Sequence, residues 1–122
     1  MELNLLSRDD GITHVAPKGR LDTAAAREFE SEFLAHTAAQ KKPVLIDLSG
    51  LTFLSSMGIR MMLSAAIELN RHGAKIALLN LPPLAEKAVI AAGLDMVMHV
   101  AHDEQEAVEF LKRPPSATET SS

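Results

Sequence analysis

The sequence predicts a single α/β domain: a mixed β-sheet of about four to five strands covered by about four helices. Two features carry this expectation. Short aliphatic runs alternate along the chain with segments whose apolar residues recur every three to four positions, which is the signature of strands and crossover helices. The chain is 122 residues long, 47% hydrophobic and 23% charged, values that suit one soluble core and leave little room for two. That core must be largely aliphatic, because there are four Phe and no Trp or Tyr.

The elements follow in order. Leu3–Leu6 and Ile12–Ala16 are apolar runs separated by Arg8-Asp9-Asp10-Gly11, and Asp-Gly between two such runs signals a hairpin. The second strand is expected to give way near Pro17. From Thr23, the residues Ala26, Phe29, Phe33 and Thr37 recur at helical spacing with charged residues between them, and Asp22 or Thr23 is a suitable N-cap. Lys41-Lys42-Pro43 closes this helix and opens a buried strand, Val44-Leu45-Ile46-Asp47-Leu48. After a Ser49-Gly50 turn, Leu51–Leu54 leads to a second helix. Its predicted buried stripe is Ile59, Met62, Leu63, Ala66 and Ile67, with His72-Gly73 as its end. Ala74–Leu79 reads as a strand. A third helix after Pro82-Pro83 carries Leu84, Ala88 and Ala91, with Gly93 at a left-handed cap position. Met96–Val100 reads as the last strand, and a final helix from Asp103 packs Ala107, Val108, Phe110 and Leu111. The domain is expected to span residues 1–112, and the polar, proline-broken residues 113–122 to form a disordered tail.

Composition narrows the function. Twelve Lys and Arg against sixteen Asp and Glu give a net charge of -4, which offers no general attraction for nucleic acid or anionic lipid. The absence of cysteine removes disulfides, thiolate catalysis and cysteine metal sites. The first ten residues lack a basic region followed by an apolar run, so no signal peptide is expected. No apolar stretch approaches the roughly 18 residues that span a bilayer, and a cytoplasmic protein that binds another protein or a small ligand is the expectation.

Ser55-Ser56, at a strand-to-helix junction, is the most informative pair. One role is an N-cap, in which a hydroxyl accepts from an amide of the first turn. Another is modification, because free amides and the positive end of the helix dipole favour a phosphate there. On the predicted helix phase, Met57 and Met61 lie away from the buried stripe and read as a contact surface. A serine nucleophile fits poorly: Leu54-Ser55-Ser56-Met57-Gly58 lacks the first glycine of the G-x-S-x-G elbow. His99 and His102 have no third ligand at a metal-binding spacing, and the acidic run from Asp103 to Glu106 suits a helix start. Asp9, Asp10 and Asp47 raise a phosphoreceiver domain as a rival. Against it, Asp9-Asp10 precedes a strand rather than a helix, no lysine ends the last strand, and Asp47 reads as lying inside its strand.

The stretch Ile46-Asp47-Leu48-Ser49-Gly50-Leu51-Thr52-Phe53-Leu54-Ser55-Ser56-Met57-Gly58-Ile59 resembles the central motif of the STAS domain family, in its anti-sigma factor antagonist branch. Gly19-Arg20-Leu21-Asp22-Thr23, Gly73–Leu78 and Ala92-Gly93-Leu94 are also similar, and the resemblance runs from about Leu3 to Leu111. By position, it implies that Ser56 is the serine phosphorylated in this family and that Asp22, Ser55 and Gly58 neighbour it. Ser55 departs from the usual aspartate. The resemblance implies a partner-binding surface of Met57, Arg60, Met61 and Ser64, and no catalysis. It also implies an anti-sigma factor of the GHKL serine-kinase type as partner and a PP2C-type phosphatase. No cofactor of the chain's own is implied, ATP and Mg2+ being used by the kinase, and neither nucleic-acid binding nor membrane insertion. The alternative within the family is a regulatory subunit of a membrane lipid transporter driven by ATP.

Overall fold

The computed structural model describes residues 2–6 and 10–113. Six strands and four helices follow the order β1 (Glu2–Leu6), β2 (Thr13–Leu21), α1 (Thr23–His36), β3 (Val44–Asp47), β4 (Leu51–Leu54), α2 (Ser56–Arg71), β5 (Ile76–Leu79), α3 (Pro83–Ala91), β6 (His99–Ala101) and α4 (Glu104–Lys112). The sheet runs β1-β2-β3-β5-β6, with β4 beside the far end of β2. Only β1 is antiparallel, Leu6 pairing with His14 and Glu2 with Lys18. The other pairs are parallel, as helical crossovers require. Asp9 and the tail from Pro114 onward lie outside the described residues.

Period-two alternation divides the strands between two cores. Val44, Ile46, Ile76 and Leu78 face α1, α2 and α3, with Phe29, Phe33, Met62 and Leu69 packed on them. Leu45, Ala77, Leu79 and Ala101 face α4, where Ala107 and Leu111 cover them. Lys75 ties the end of α4 to the sheet by donating to the Phe110 and Arg113 carbonyls, at 3.3 and 3.0 Å.

The hairpin expected at Asp10-Gly11 is present. Gly11 has a φ of 77°, and Asp10 accepts from the Ile12 amide at 3.1 Å while its other oxygen meets His14 Nε2 at 3.0 Å. Burial opposes ionisation of Asp10, but the Ile12 amide and the imidazole outweigh it and hold the carboxyl below its usual range.

Four expectations are corrected. β2 does not stop near Pro17 but continues to Leu21. It changes parallel partner on the way, from β3 at residues 13–15 to β4 at 19–21, so proline falls in a gap where neither parallel ladder needs its missing amide. The last strand is His99–Ala101 rather than Met96–Val100. Gly93, at φ 75°, starts a tight turn in which Met96, Val97 and Met98 donate to Gly93 and Leu94 carbonyls, and those amides are spent before the strand begins. In α3 the stripe Leu84, Ala88, Ala91 is exposed, and Val89 is the buried residue. In α2 the buried set is Gly58, Met61, Met62, Ala65, Ala66 and Leu69, which turns the helix by one residue, about 100°, from the predicted phase.

Candidate functional site

The site forms where β2 and β4 end side by side. Leu21 pairs with Leu54, and the Ser55 amide donates to the Leu21 carbonyl at 2.9 Å, which sets Asp22 and Ser55 next to each other at the starts of α1 and α2. Each caps its own helix. Asp22 accepts from the Ala25 amide at 2.9 Å, and Ser55 Oγ accepts from the Gly58 amide at 3.1 Å. Two helix N-termini with positive dipole ends therefore meet at one edge of the molecule.

Gly58 makes the approach of α2 feasible. A Cβ there would lie 2.8 Å from Leu54 Cδ1 and 2.9 Å from Leu21 Cγ and Cδ2, and Leu21 is fully buried. Any side chain at this position would push α2 off the strand ends that carry Asp22 and Ser55.

Because Ser55 supplies the cap, Ser56 is left with a different environment. It is exposed in the first turn of α2, and its hydroxyl has no hydrogen-bond partner among the described residues. Of the two roles considered for the pair, the structure gives capping to Ser55 alone. The cap is neutral, and the carboxylate of the neighbouring Asp22 turns its second oxygen to Arg20 Nε at 3.4 Å. The Arg20 guanidinium in turn sits over the Phe53 ring at 4.3 Å.

Asp22, Ser55, Ser56 and Gly58 are thus brought together as expected. Met57, Arg60 and Ser64 follow along α2 and border a shallow groove of about 170 Å³ against Ala26, Arg27 and Glu30 of α1. Met61 does not belong to the surface. It is 2% exposed and packs in the main core, and Met57 is partly buried against that core. The predicted phase places Ile59, Leu63 and Ile67 on the buried face. The close approach at Gly58 and the small Ala65 instead turn Met61 inward, and Ile67 is 47% exposed.

Two further large apolar residues are exposed at this end: Phe53, at 41%, and Leu84, at 80%. They border a groove of about 400 Å³ between β4 and α3 that also touches Ser56. The signal for Leu84 was present as the stripe it shares with Ala88 and Ala91, but a stripe at helical spacing does not say which way it faces.

The remaining candidates have structural roles. Asp47 is the last residue of β3, not an interior one, and accepts from the Ser49 amide at 3.0 Å and the Asn80 side chain at 3.1 Å. Burial pushes its carboxyl up, yet these bonds and one from the Ser49 side chain hold it below the usual range. His99 stacks on Phe110 with centroids 4.1 Å apart, and its Nε2 is 3.3 Å from Glu106. His102 Nε2 is 3.0 Å from Glu86 of α3, and its pKa is raised by that hydrogen bond and the glutamate's charge.

Comparison with known proteins agrees with this arrangement. A family model for the STAS domain matches residues 5–107. The candidate anti-sigma factor antagonist BtrV of Bordetella bronchiseptica is 25% identical over 107 residues, covering 88% of this chain and 92% of that protein. The fold is shared with an anti-sigma factor antagonist from Mycobacterium paratuberculosis, at a TM-score of 0.75 and 22% identity over 92% of this chain and 96% of that one. It is shared too with the phosphorylated Bacillus cell fate determinant SpoIIAA, at a TM-score of 0.67 and 22% identity over 91% of this chain and 100% of that one. With a match that takes in both strand ends, both helix starts and most of the sheet, the chain belongs to the STAS domain family.

Proposed function

We propose that this chain is an anti-sigma factor antagonist, a cytoplasmic binding module without catalysis of its own, switched by phosphorylation of Ser56. The observation that carries the reading is the division of labour between the two serines. Ser55 holds the helix cap, so the exposed Ser56 hydroxyl can be modified without removing a bond that the fold needs. The match with BtrV along 88% of this chain favours an antagonist over a transporter subunit.

In this reading the unphosphorylated Ser56 end, with Met57, Arg60 and Ser64, docks on an anti-sigma factor of the GHKL serine-kinase type, and the factor's sequestered target is released. The kinase, using ATP and Mg2+, transfers the γ-phosphoryl group. Ser56 Oγ bonds to phosphorus, the bond to ADP breaks, and the hydroxyl proton passes to a base of the kinase. The product carries about -1.5 to -2 added charge at pH 7. Near the helix start that charge is tolerated in the free protein, but in a desolvated contact it opposes binding. A PP2C-type phosphatase resets the module.

Incubation with a serine-kinase anti-sigma factor from the same cell and ATP, followed by phosphopeptide mapping, tests the assignment. One phosphate on Ser56 is expected. Phosphate on Ser55, or none on either serine, would sink it.

A further inference from the structure

The outer side of α3 is apolar where a surface helix is ordinarily polar. Leu84, Ala88, Ile90 and Ala91 are all exposed, with one buried residue, Val89, anchoring the helix from within. Leu84 and Ala88 form one wall of the 400 Å³ groove whose other wall is Phe53. Ala88 also borders a second depression of about 260 Å³, shared with Ile59 and Arg60 of α2. Ser56 lies on the rim of both. Contiguous apolar surface of this kind marks an interaction site more often than chance exposure does.

The charges around it are not those of the molecule as a whole. The chain carries a net -4, yet the one charged side chain among those that line the two depressions is basic, Arg60. Arg20 lies over Phe53 on one side, and Arg60 lines the other. Lys87 is exposed beside Ala88 on the outward face of α3. Asp22 offsets Arg20 at 3.4 Å, and Arg60 shares its other groove, on the α1 side, with Glu30. Glu86 falls on the opposite flank of α3, at 100° per residue, where His102 holds it.

We infer that the β4–α3 groove receives a segment of a partner protein in which apolar side chains alternate with Asp or Glu. The apolar side chains fill the space between Phe53 and Leu84, and the carboxylates meet Arg60, Lys87 and the open face of Arg20. Complementarity of this kind sets orientation and encounter rate. It also gives Ser56 a second means of action, since a phosphate on the shared rim competes with the partner's carboxylates for the same cations. The inference rests on the antagonist reading only for the phosphate on Ser56.

The test places the photocrosslinker p-benzoylphenylalanine at Leu84 in the cell of origin, and at Ile67, exposed on the outward face of α2, as the control position. The adducts are sequenced by mass spectrometry. Position 84 is expected to capture a protein segment with apolar residues flanked by Asp or Glu, and the Arg60→Glu, Lys87→Glu variant is expected to lower that yield by about tenfold. An adduct with lipid, with a second copy of this chain or with a segment lacking acidic residues overturns the inference, as does a yield at 84 no greater than at 67. If the captured acidic segment belongs to a protein that is not a serine-kinase anti-sigma factor, and no such kinase phosphorylates Ser56, the groove is as inferred and the antagonist reading fails. If such a kinase phosphorylates Ser56 while position 84 captures nothing, the antagonist reading stands and the groove does not serve it.

Discussion

Helices α2 and α3 both carry apolar stripes at helical spacing, and the fold uses them in opposite ways. α2 buries Met61, Met62, Ala65, Ala66 and Leu69 and is set against the sheet by a glycine. α3 buries one valine and turns Leu84, Ala88 and Ala91 to solvent. The difference lies in what each stripe meets. α2 crosses the ends of β2 and β4 closely enough that residue 58 has no room for a Cβ, so its inward face is fixed. α3 lies farther out, held by Val89, the Pro82-Pro83 entrance and the Glu86–His102 contact. One helix fixes the position of Ser56, and the other supplies apolar surface beside it.

The largest contrast comes from placing the same charge on each helix. Met61→Glu buries a carboxylate among core side chains and is expected to destabilise the domain by about 4 kcal/mol or more. Leu84→Glu leaves the charge hydrated and should change stability by no more than about 0.5 kcal/mol. Urea denaturation midpoints check both. Comparable losses would mean that α3 is packed more like α2 than its exposure implies.

A smaller contrast separates the paired serines. Ser55→Ala removes the cap that accepts from Gly58 and should cost about 1 kcal/mol, whereas Ser56→Ala should lie within about 0.5 kcal/mol of the parent. Thermal melts of the two variants give the ordering. A larger loss for Ser56→Ala would transfer the capping role and undo the separation on which the proposed modification of Ser56 depends.

The smallest effect concerns pH and α3 alone. His102 has a raised pKa through Glu86, so the stabilisation it gives is complete below the ordinary histidine value of about 6.5 and fades as pH rises through the raised folded value. Amide exchange in α3, corrected for its intrinsic pH dependence, should therefore be modestly faster near pH 8 than near pH 6, and a Glu86→Gln variant should lose that difference. Equal behaviour of the parent and the variant would show that Val89 and the prolines suffice to hold α3.

Much of this was legible in the sequence, and the misses share a cause. The hairpin, the alternation of strands and helices, the Asp22 cap and the left-handed Gly93 all depend on local chemistry that a few neighbouring residues specify. The phase of α2 depended on Gly58 meeting Leu21 and Leu54 from other elements, which periodicity cannot register. The passage of β2 through Pro17 depended on a change of partner strand. For the site, Ser56, Ser55, Gly58 and Asp22 followed from a motif, while Phe53 and Leu84 became visible only when β4 and α3 were set side by side. An aliphatic stripe has the same pattern whether it packs on a sheet or waits for a partner.

The central claim is that charge at Ser56 governs binding at this end of the molecule. Its most direct test is a calorimetric titration of a serine-kinase anti-sigma factor from the same cell with the chain in two forms, unmodified and carrying phosphoserine at position 56 by genetic incorporation. The phosphorylated form should bind at least about tenfold more weakly, a loss of about 1.4 kcal/mol, with a melting temperature close to that of the unmodified chain. Equal affinity of the two forms, with both folded, would contradict the account.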